Sequence, residues 1–296
     1  MKPWRNWVYD RISGKVAIEQ GHPGQVSRTL ANAIERGALG KLIKKFFAPR
    51  LEGREYLPKD RSCLIVSNNF FSDPISNIWL VLNLKLGSVS PMAHPVLFFI
   101  PGIKKFLKES GAIPSSYHHA AKVLKKGVHV CVHPGGEYEC FRPIWKASQV
   151  DFGGRKGFLR LARESWVPIL PMSISGAHIM TPMIWRSKLL CWLLIAPKLM
   201  GSNCWGLSVL GVIGVFLILV FVSPYISLSA TVLMVICWLS SPLPFIPIFP
   251  SRVRNKFSPL IEPAELFGPR DSDPTTIDYN KAYDKVVAVI QNEVAK

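Results

Sequence analysis

Two short apolar runs that stop abruptly at polar residues, and a third closing the series, constrain this chain more than any other feature. Cys63–Val66 ends at Ser67-Asn68-Asn69, Val128–His133 ends at Pro134-Gly135-Gly136-Glu137, and Val167–Ile174 forms the third run. Short apolar segments bounded by turn formers are the pattern of buried strands. Helical patterns lie between them, over His118–Lys126, closed by Gly127, and over Arg155–Glu164. Strands alternating with helices predict an α/β fold, a largely parallel sheet flanked by helices. In such sheets ligands bind beyond the carboxyl ends of the strands, so the polar strand ends are where function is expected.

The remaining pieces fit around that frame. Val26–Phe47 reads as an amphipathic helix, with Val26, Leu30, Ile34, Leu42, Ile43 and Phe46 recurring near the helical period. Arg28, Arg36, Lys41, Lys44 and Lys45 cover the rest of its surface, which suits an anionic lipid surface. A loop through Gly53 and Pro58 leads into the first strand. Ile75–Leu84 is a helix candidate begun by Asp73-Pro74, proline being suited to a first helical turn. Pro95–Glu109 reads as a helix broken at Pro101-Gly102, and Gly111–Pro114 as a short extended piece. A last strand is expected near Phe257–Ile261, and a last helix over Tyr279–Val294 with Tyr279, Tyr283, Val286 and Ile290 on one face. The domain reading is a basic amphipathic membrane-contact region at 1–52 and one α/β domain at 53–296.

Residues 199–251 differ from all of this. No charge occurs among these 53 residues, between Lys198 and Arg252. A bilayer span needs about 20 residues, and Ser223-Pro224-Tyr225 would break a helix. The expected form is an apolar helical hairpin inserted in the domain, with limbs Gly206–Val222 and Ile226–Leu239, crossing a bilayer or dipping into one leaflet. Lys198, Arg252, Arg254 and Lys256 flank it on one side, which the positive-inside tendency makes cytoplasmic. Composition agrees: 49% of residues are hydrophobic, mean hydropathy is +0.22, and net charge is +17. So basic a chain suits nucleic acid or an anionic membrane surface, and the apolar excess selects the membrane. The six cysteines form no C-x-x-C and no zinc spacing, and read as reduced and structural. The N-terminal MKPWRNWVYDRISGK lacks the apolar core of a signal peptide.

Two glycine-rich places qualify as binding sites. In His133-Pro134-Gly135-Gly136-Glu137 the glycines let backbone approach a ligand closely, and in Gly153-Gly154-Arg155-Lys156-Gly157 two cations stand at a helix start, which favours anions. Neither is a P-loop or a dinucleotide fingerprint. The ordered set GREYLPKDRSCLIVSNN, Asp73, GAIPSS, HPGGEYE and FGGRKGFLRLARESWVPILP resembles the glycerolipid acyltransferase superfamily, over roughly residues 53–180. The Pro-Gly-Gly form with a following Arg-Lys-Gly-Phe is more similar to its diacylglycerol-acyltransferase-like branch. The resemblance implies transfer of a fatty acyl group from a thioester to a lipid hydroxyl, with acyl-CoA or an acyl-carrier thioester as co-substrate and no cofactor or metal. It implies a histidine general base oriented by Asp73, an oxyanion stabilised near Gly135, Gly136 and Glu137, and Arg155 and Lys156 on phosphate or on the thioester's carrier.

The chain departs from that pattern at its first block. Asn68 takes the place of the family's asparagine and Asn69 that of its histidine, with three residues rather than four before Asp73. An amide has no usable basicity at neutral pH, and general-base catalysis is typically worth 10²–10⁴-fold. His133 is the foremost substitute, ahead of His94 and His178, while His118 and His119 at a helix start read as solvated. The alternatives to an active enzyme are a catalytically inactive homologue that binds lipid or acyl thioester, and an electrostatic nucleic-acid binder prompted by charge alone.

Overall fold

The structure is a computed structural model and describes residues 23–47, 49–69, 89–199 and 201–295. Asp73, the Ile75–Leu84 helix candidate and the first 22 residues lie outside the described residues.

Nine strands occur among the described residues: β1 Arg50–Glu52, β2 Leu64–Ser67, β3 Val89–Ala93, β4 Ile113–Pro114, β5 His129–Val132, β6 Ile169–Ser175, β7 Met183–Ser187, β8 Trp205–Ser208 and β9 Arg254–Phe257. Seven of them form one sheet in the order β1-β9-β6-β2-β5-β3-β4, parallel except where β9 runs antiparallel to β6. The helices that matter here are α1 Arg28–Arg36, α2 Ala38–Phe47, α3 Pro101–Glu109, α4 Tyr117–Lys125, α5 Gly136–Cys140, α6 Gly157–Ser165, α7 Ala177–Met180, α8 Lys188–Leu193, α9 Val209–Leu217, α10 Leu228–Ser240 and α11 Tyr279–Val294.

β2 is central, and every residue in it is buried. Side chains alternate along a strand, so the run serves two cores at once. Leu64 and Val66 face one core with Leu159 of α6, Ala120 of α4 and Val286 of α11. Cys63 and Ile65 face the other with Leu170, Met172, Ala177 of α7 and, partly buried, Phe46 of α2. Fully burying a leucine or isoleucine stabilises by roughly 1.5–3 kcal/mol, so the sheet is anchored from both faces. β2 pairs with β5 and with β6 at matching heights, Val66 opposite Val132 and Pro171, which brings the carboxyl ends of all three together.

Several expectations are corrected. The predicted helix over Val26–Phe47 is two helices, interrupted at Gly37, and α1 docks on α3 through Leu30 and Phe106 and a Ser27 N–H to Glu109 carbonyl bond. The last strand is Arg254–Phe257, not Phe257–Ile261; Ile261 makes only an isolated bridge to Ile169. The helix expected from Arg155 begins at Gly157. The first apolar limb, expected as helix from Gly206, starts as strand β8, paired antiparallel with β7 in a two-stranded ribbon.

The apolar insert is a helical hairpin. α9 continues as a wider π-helical turn to Val222, Ser223–Tyr225 makes the bend, and α10 returns. Trp238 Nε1 donates to the Gly211 carbonyl at 3.0 Å, and a Cβ on Gly214 would overlap the Trp238 ring, so glycine sets the helix contact. Among the described residues no helix is long and apolar enough to cross a membrane.

Candidate active site

The site forms where β2, β5 and β6 end. The two asparagines after β2 part ways there. Asn68 is fully buried, and its side chain pairs with the β6 backbone: Oδ1 accepts from Ile174 N–H at 2.7 Å, and Nδ2 donates to the Ile174 carbonyl at 2.8 Å. It extends the β2–β6 pairing one step beyond the ladder. Asn69 is half-buried and sits over the glycine turn, its Nδ2 3.5 Å from the Gly136 carbonyl.

His133 follows β5 directly, beside them. Its Nδ1 donates to the Asn68 carbonyl at 3.2 Å, which leaves the lone pair on Nε2, 4.0 Å from Cys131 Sγ. Burial disfavours the imidazolium and lowers its pKa to about 4, against the pull of backbone carbonyls at Asn68 and Ser67. His133 is thus neutral at pH 7 and a weak base. The other histidines stand elsewhere. His94 Nδ1 accepts from Val96 N–H and caps a 3₁₀ turn. His118 and His119 stack edge to face on α4. His178 lines a cavity of about 240 Å³ with Ile144, Trp145, Ser148 and Ile174.

The Pro-Gly-Gly turn leads directly into α5. Gly136 N–H turns back to the His133 carbonyl at 3.1 Å. Gly135 must lack a side chain because a Cβ would overlap Glu139. Arg155 reaches across from the segment before α6: one guanidinium nitrogen donates to the carbonyls of Pro134 and Gly135, and the other pairs with Glu137 at 3.1 Å. Asn203 Nδ2 shares that Glu137 oxygen at 3.2 Å. Lys156 Nζ donates to Asn280 Oδ1 on α11. Arg155, Glu137 and the glycines therefore form one cluster with Asn69, while Lys156 is held against α11.

Two residues that motif reading passed over hold this cluster together. Glu139 and Arg142 form a buried ion pair at 2.9 Å, with side chains 0% and 3% exposed. Glu139 also accepts the backbone N–H groups of Asn69 at 3.0 Å and Asp151 at 3.3 Å, and Arg142 donates to the Ala147 carbonyl at 3.2 Å. Burial drives the Glu139 carboxyl up to about 7, opposed by Arg142 and the two N–H groups. The signal in the sequence was an acid and a base at i and i+3 flanking Cys140 and Phe141, a spacing that reads as readily as a solvated surface pair.

Residues 48–175 match the acyltransferase family model, and this span contains the whole cluster of strand ends just described apart from its supports on α11 and at Asn203. This segment, somewhat under half of the chain, is what the chain shares with that family. An uncharacterised protein of Mycobacterium tuberculosis is 27% identical over 173 residues, 56% of this chain and 48% of that protein. A chicken protein described as a DGAT1/2-independent enzyme synthesizing storage lipids is 26% identical over 125 residues, 41% of this chain and 37% of its own length. The chain thus matches about half the length or less of these curated relatives. A crystal structure of the 1-acyl-sn-glycerophosphate acyltransferase PlsC from Thermotoga maritima aligns with a TM-score of 0.49 at 18% identity, over 90% of this chain and 81% of that one.

Proposed function

We propose that the protein is a membrane-associated acyltransferase that moves a fatty acyl group from an acyl thioester, acyl-CoA or an acyl-carrier thioester, to the hydroxyl of a glycerolipid or lysophospholipid. The observation that carries this reading is the meeting of Asn69 with the Pro134-Gly135-Gly136 turn at the carboxyl ends of β2 and β5, inside a matched acyltransferase segment. The acceptor oxygen bonds to the thioester carbonyl carbon, the carbon–sulfur bond breaks, and the hydroxyl proton leaves to a base and then to the departing thiolate. In this reading Asn69 hydrogen-bonds the acceptor hydroxyl. Asp73 and the neutral imidazole of His133 are the groups able to take the proton. Arg155, already bridging the glycine turn to Glu137, is the cation available to acceptor phosphate or to the donor's carrier. The uncharged hairpin and the basic segment 1–52 face an anionic membrane, with the catalytic face cytoplasmic.

Purified protein given labelled long-chain acyl-CoA and a panel of lysophospholipid, monoacylglycerol and diacylglycerol acceptors should form ester. No acylated acceptor, together with no binding of acyl-CoA, would sink this reading.

A second reading follows from the base. An imidazole with a pKa near 4 takes protons poorly at pH 7, and Asn69 takes none. A catalytically inactive homologue would keep the cluster and bind lipid or acyl thioester without turnover. Acyl-CoA binding without ester formation, and turnover gained on Asn69→His with one residue inserted before Asp73, would favour it.

A further inference from the structure

The hairpin is not the sole water-facing apolar surface at its end of the molecule. α8 follows β7 directly and presents Leu189, Trp192 and Leu193 at 65%, 68% and 62% exposure, beside Trp185 of β7 at 56%. Soluble surfaces rarely carry so contiguous an apolar patch. α8 adjoins the hairpin's base: the Leu194 carbonyl at its end accepts from Ser240 Oγ at the end of α10, at 3.3 Å. Trp205 Nε1, on the ribbon strand paired with β7, donates to the Leu239 carbonyl at 2.8 Å. Cations occur at this level. Lys188 opens α8, and Lys198 Nζ stands 5.9 Å from the centre of the Trp192 ring.

Away from the base there is no charge. Phe221, Tyr225 and Leu228 around the bend are 63%, 85% and 80% exposed. The helical run from Val209 to Val222 rises about 20 Å at 1.5 Å per residue. A hydrocarbon core is about 30 Å thick, so the hairpin is too short to cross it and long enough to fill one leaflet.

We propose that this face docks on one leaflet of an anionic bilayer in two places. The α9–α10 hairpin enters bend first and stops within that leaflet. α8 lies at headgroup depth as a second foot, its tryptophan and lysine at the interface where such side chains are favoured. A second copy of the chain is the other candidate occupant, but a symmetric contact would set the basal lysines against each other, a like-charge cost that an anionic surface reverses. This inference rests on the membrane-associated reading above.

The test uses the full chain bound from outside to preformed phosphatidylcholine–phosphatidylglycerol vesicles. Tyr225→Cys is made in a Cys237→Ser background and probed with a membrane-impermeant maleimide, added outside or trapped inside. The thiol should react freely without lipid and at least tenfold more slowly from either side with vesicles. Labelling from the trapped reagent would mean a span, and protection without lipid would mean a second copy; either overturns the leaflet claim. Leu189→Glu with Trp192→Glu should weaken vesicle flotation at least tenfold while leaving the unfolding midpoint and ester formation in detergent unchanged. Flotation equal to wild type would overturn the second foot. A wild-type chain that does not float at all contradicts membrane association itself, whereas one that floats but is labelled from inside contradicts only the single-leaflet docking.

Discussion

Neighbouring asparagines do opposite work in this site. Asn68 completes the hydrogen bonding of the Ile174 backbone in a fully buried place, so its loss leaves a buried N–H and a buried carbonyl unpaired. Each unsatisfied group costs about 1–3 kcal/mol. Asn68→Ala should therefore lower unfolding free energy by about 2–4 kcal/mol in denaturant titration. Asn69→Ala keeps its backbone bond to Glu139 and should cost under about 1 kcal/mol, a surface-like effect, while reducing any acyl transfer. Glu139 is the other residue on which the site depends. Glu139→Ala strands Arg142 in the interior and should cost about 3–5 kcal/mol. Its titration has a defined sign. The folded-state pKa lies near 7, above the ordinary 4.5, so its contribution is present below pH 4.5 and lost as pH rises through about 7. His133 runs the other way: depressed from 6.5 to about 4, its contribution is present above pH 6.5 and lost as pH falls through about 4. The two offset each other at mildly acid pH. Glu139→Gln should remove the loss of stability expected as pH rises from about 4.5 towards 7, measured by unfolding across that range; an unchanged profile would contradict the assignment.

Among the elements, the helix contact within the hairpin is the most exposed to a single change. Gly214→Val would push the Trp238 ring aside and break its bond to the Gly211 carbonyl. The expected readout is faster hydrogen exchange across α9 and α10 with little change in β2, β5 or β6. Elements with a strong period were legible in the sequence. α11 runs from Tyr279 to Val294 as read, because its apolar positions recur at helical spacing, and α4, which ends at Lys125, is closed off by Gly127, whose φ of +78° suits glycine. Shorter elements were not. β1 has three residues and β3 contains Pro91, so neither carries a strand pattern of its own. β9 was displaced because its buried residues Asn255 and Phe257 alternate with Arg254 and Lys256, and charges at every other position read as loop. Of the site, the glycine turn and Arg155 were legible by type. The burial of Asn68 and the Glu139–Arg142 pair were not, because the first depends on Ile174 of β6, 106 residues on, and the second on a loop at 147–151 folding back and on Asn69, 70 residues before Glu139.

At the scale of the whole molecule, the proposed membrane docking would use a net charge of +17 and an apolar face free of charge between Lys198 and Arg252 as two separate forces on one partner. Electrostatic attraction is screened within about 10 Å at 0.1 M salt, whereas apolar insertion is not. Binding to anionic vesicles should fall as salt rises and then level off above zero; complete release by salt would remove the apolar contribution from this account. In the proposed function, membrane contact would bring a lipid hydroxyl to the chain and the strand ends would supply the chemistry, so the central claim is the acyl transfer. It is tested most directly by the rate of ester formation from labelled acyl-CoA in wild type and in Asp73→Ala. Wild type should acylate a lipid acceptor and Asp73→Ala should do so at least about 100-fold more slowly, the scale of a lost acid–base step. Equal rates in the two proteins, or no ester from either, would contradict it.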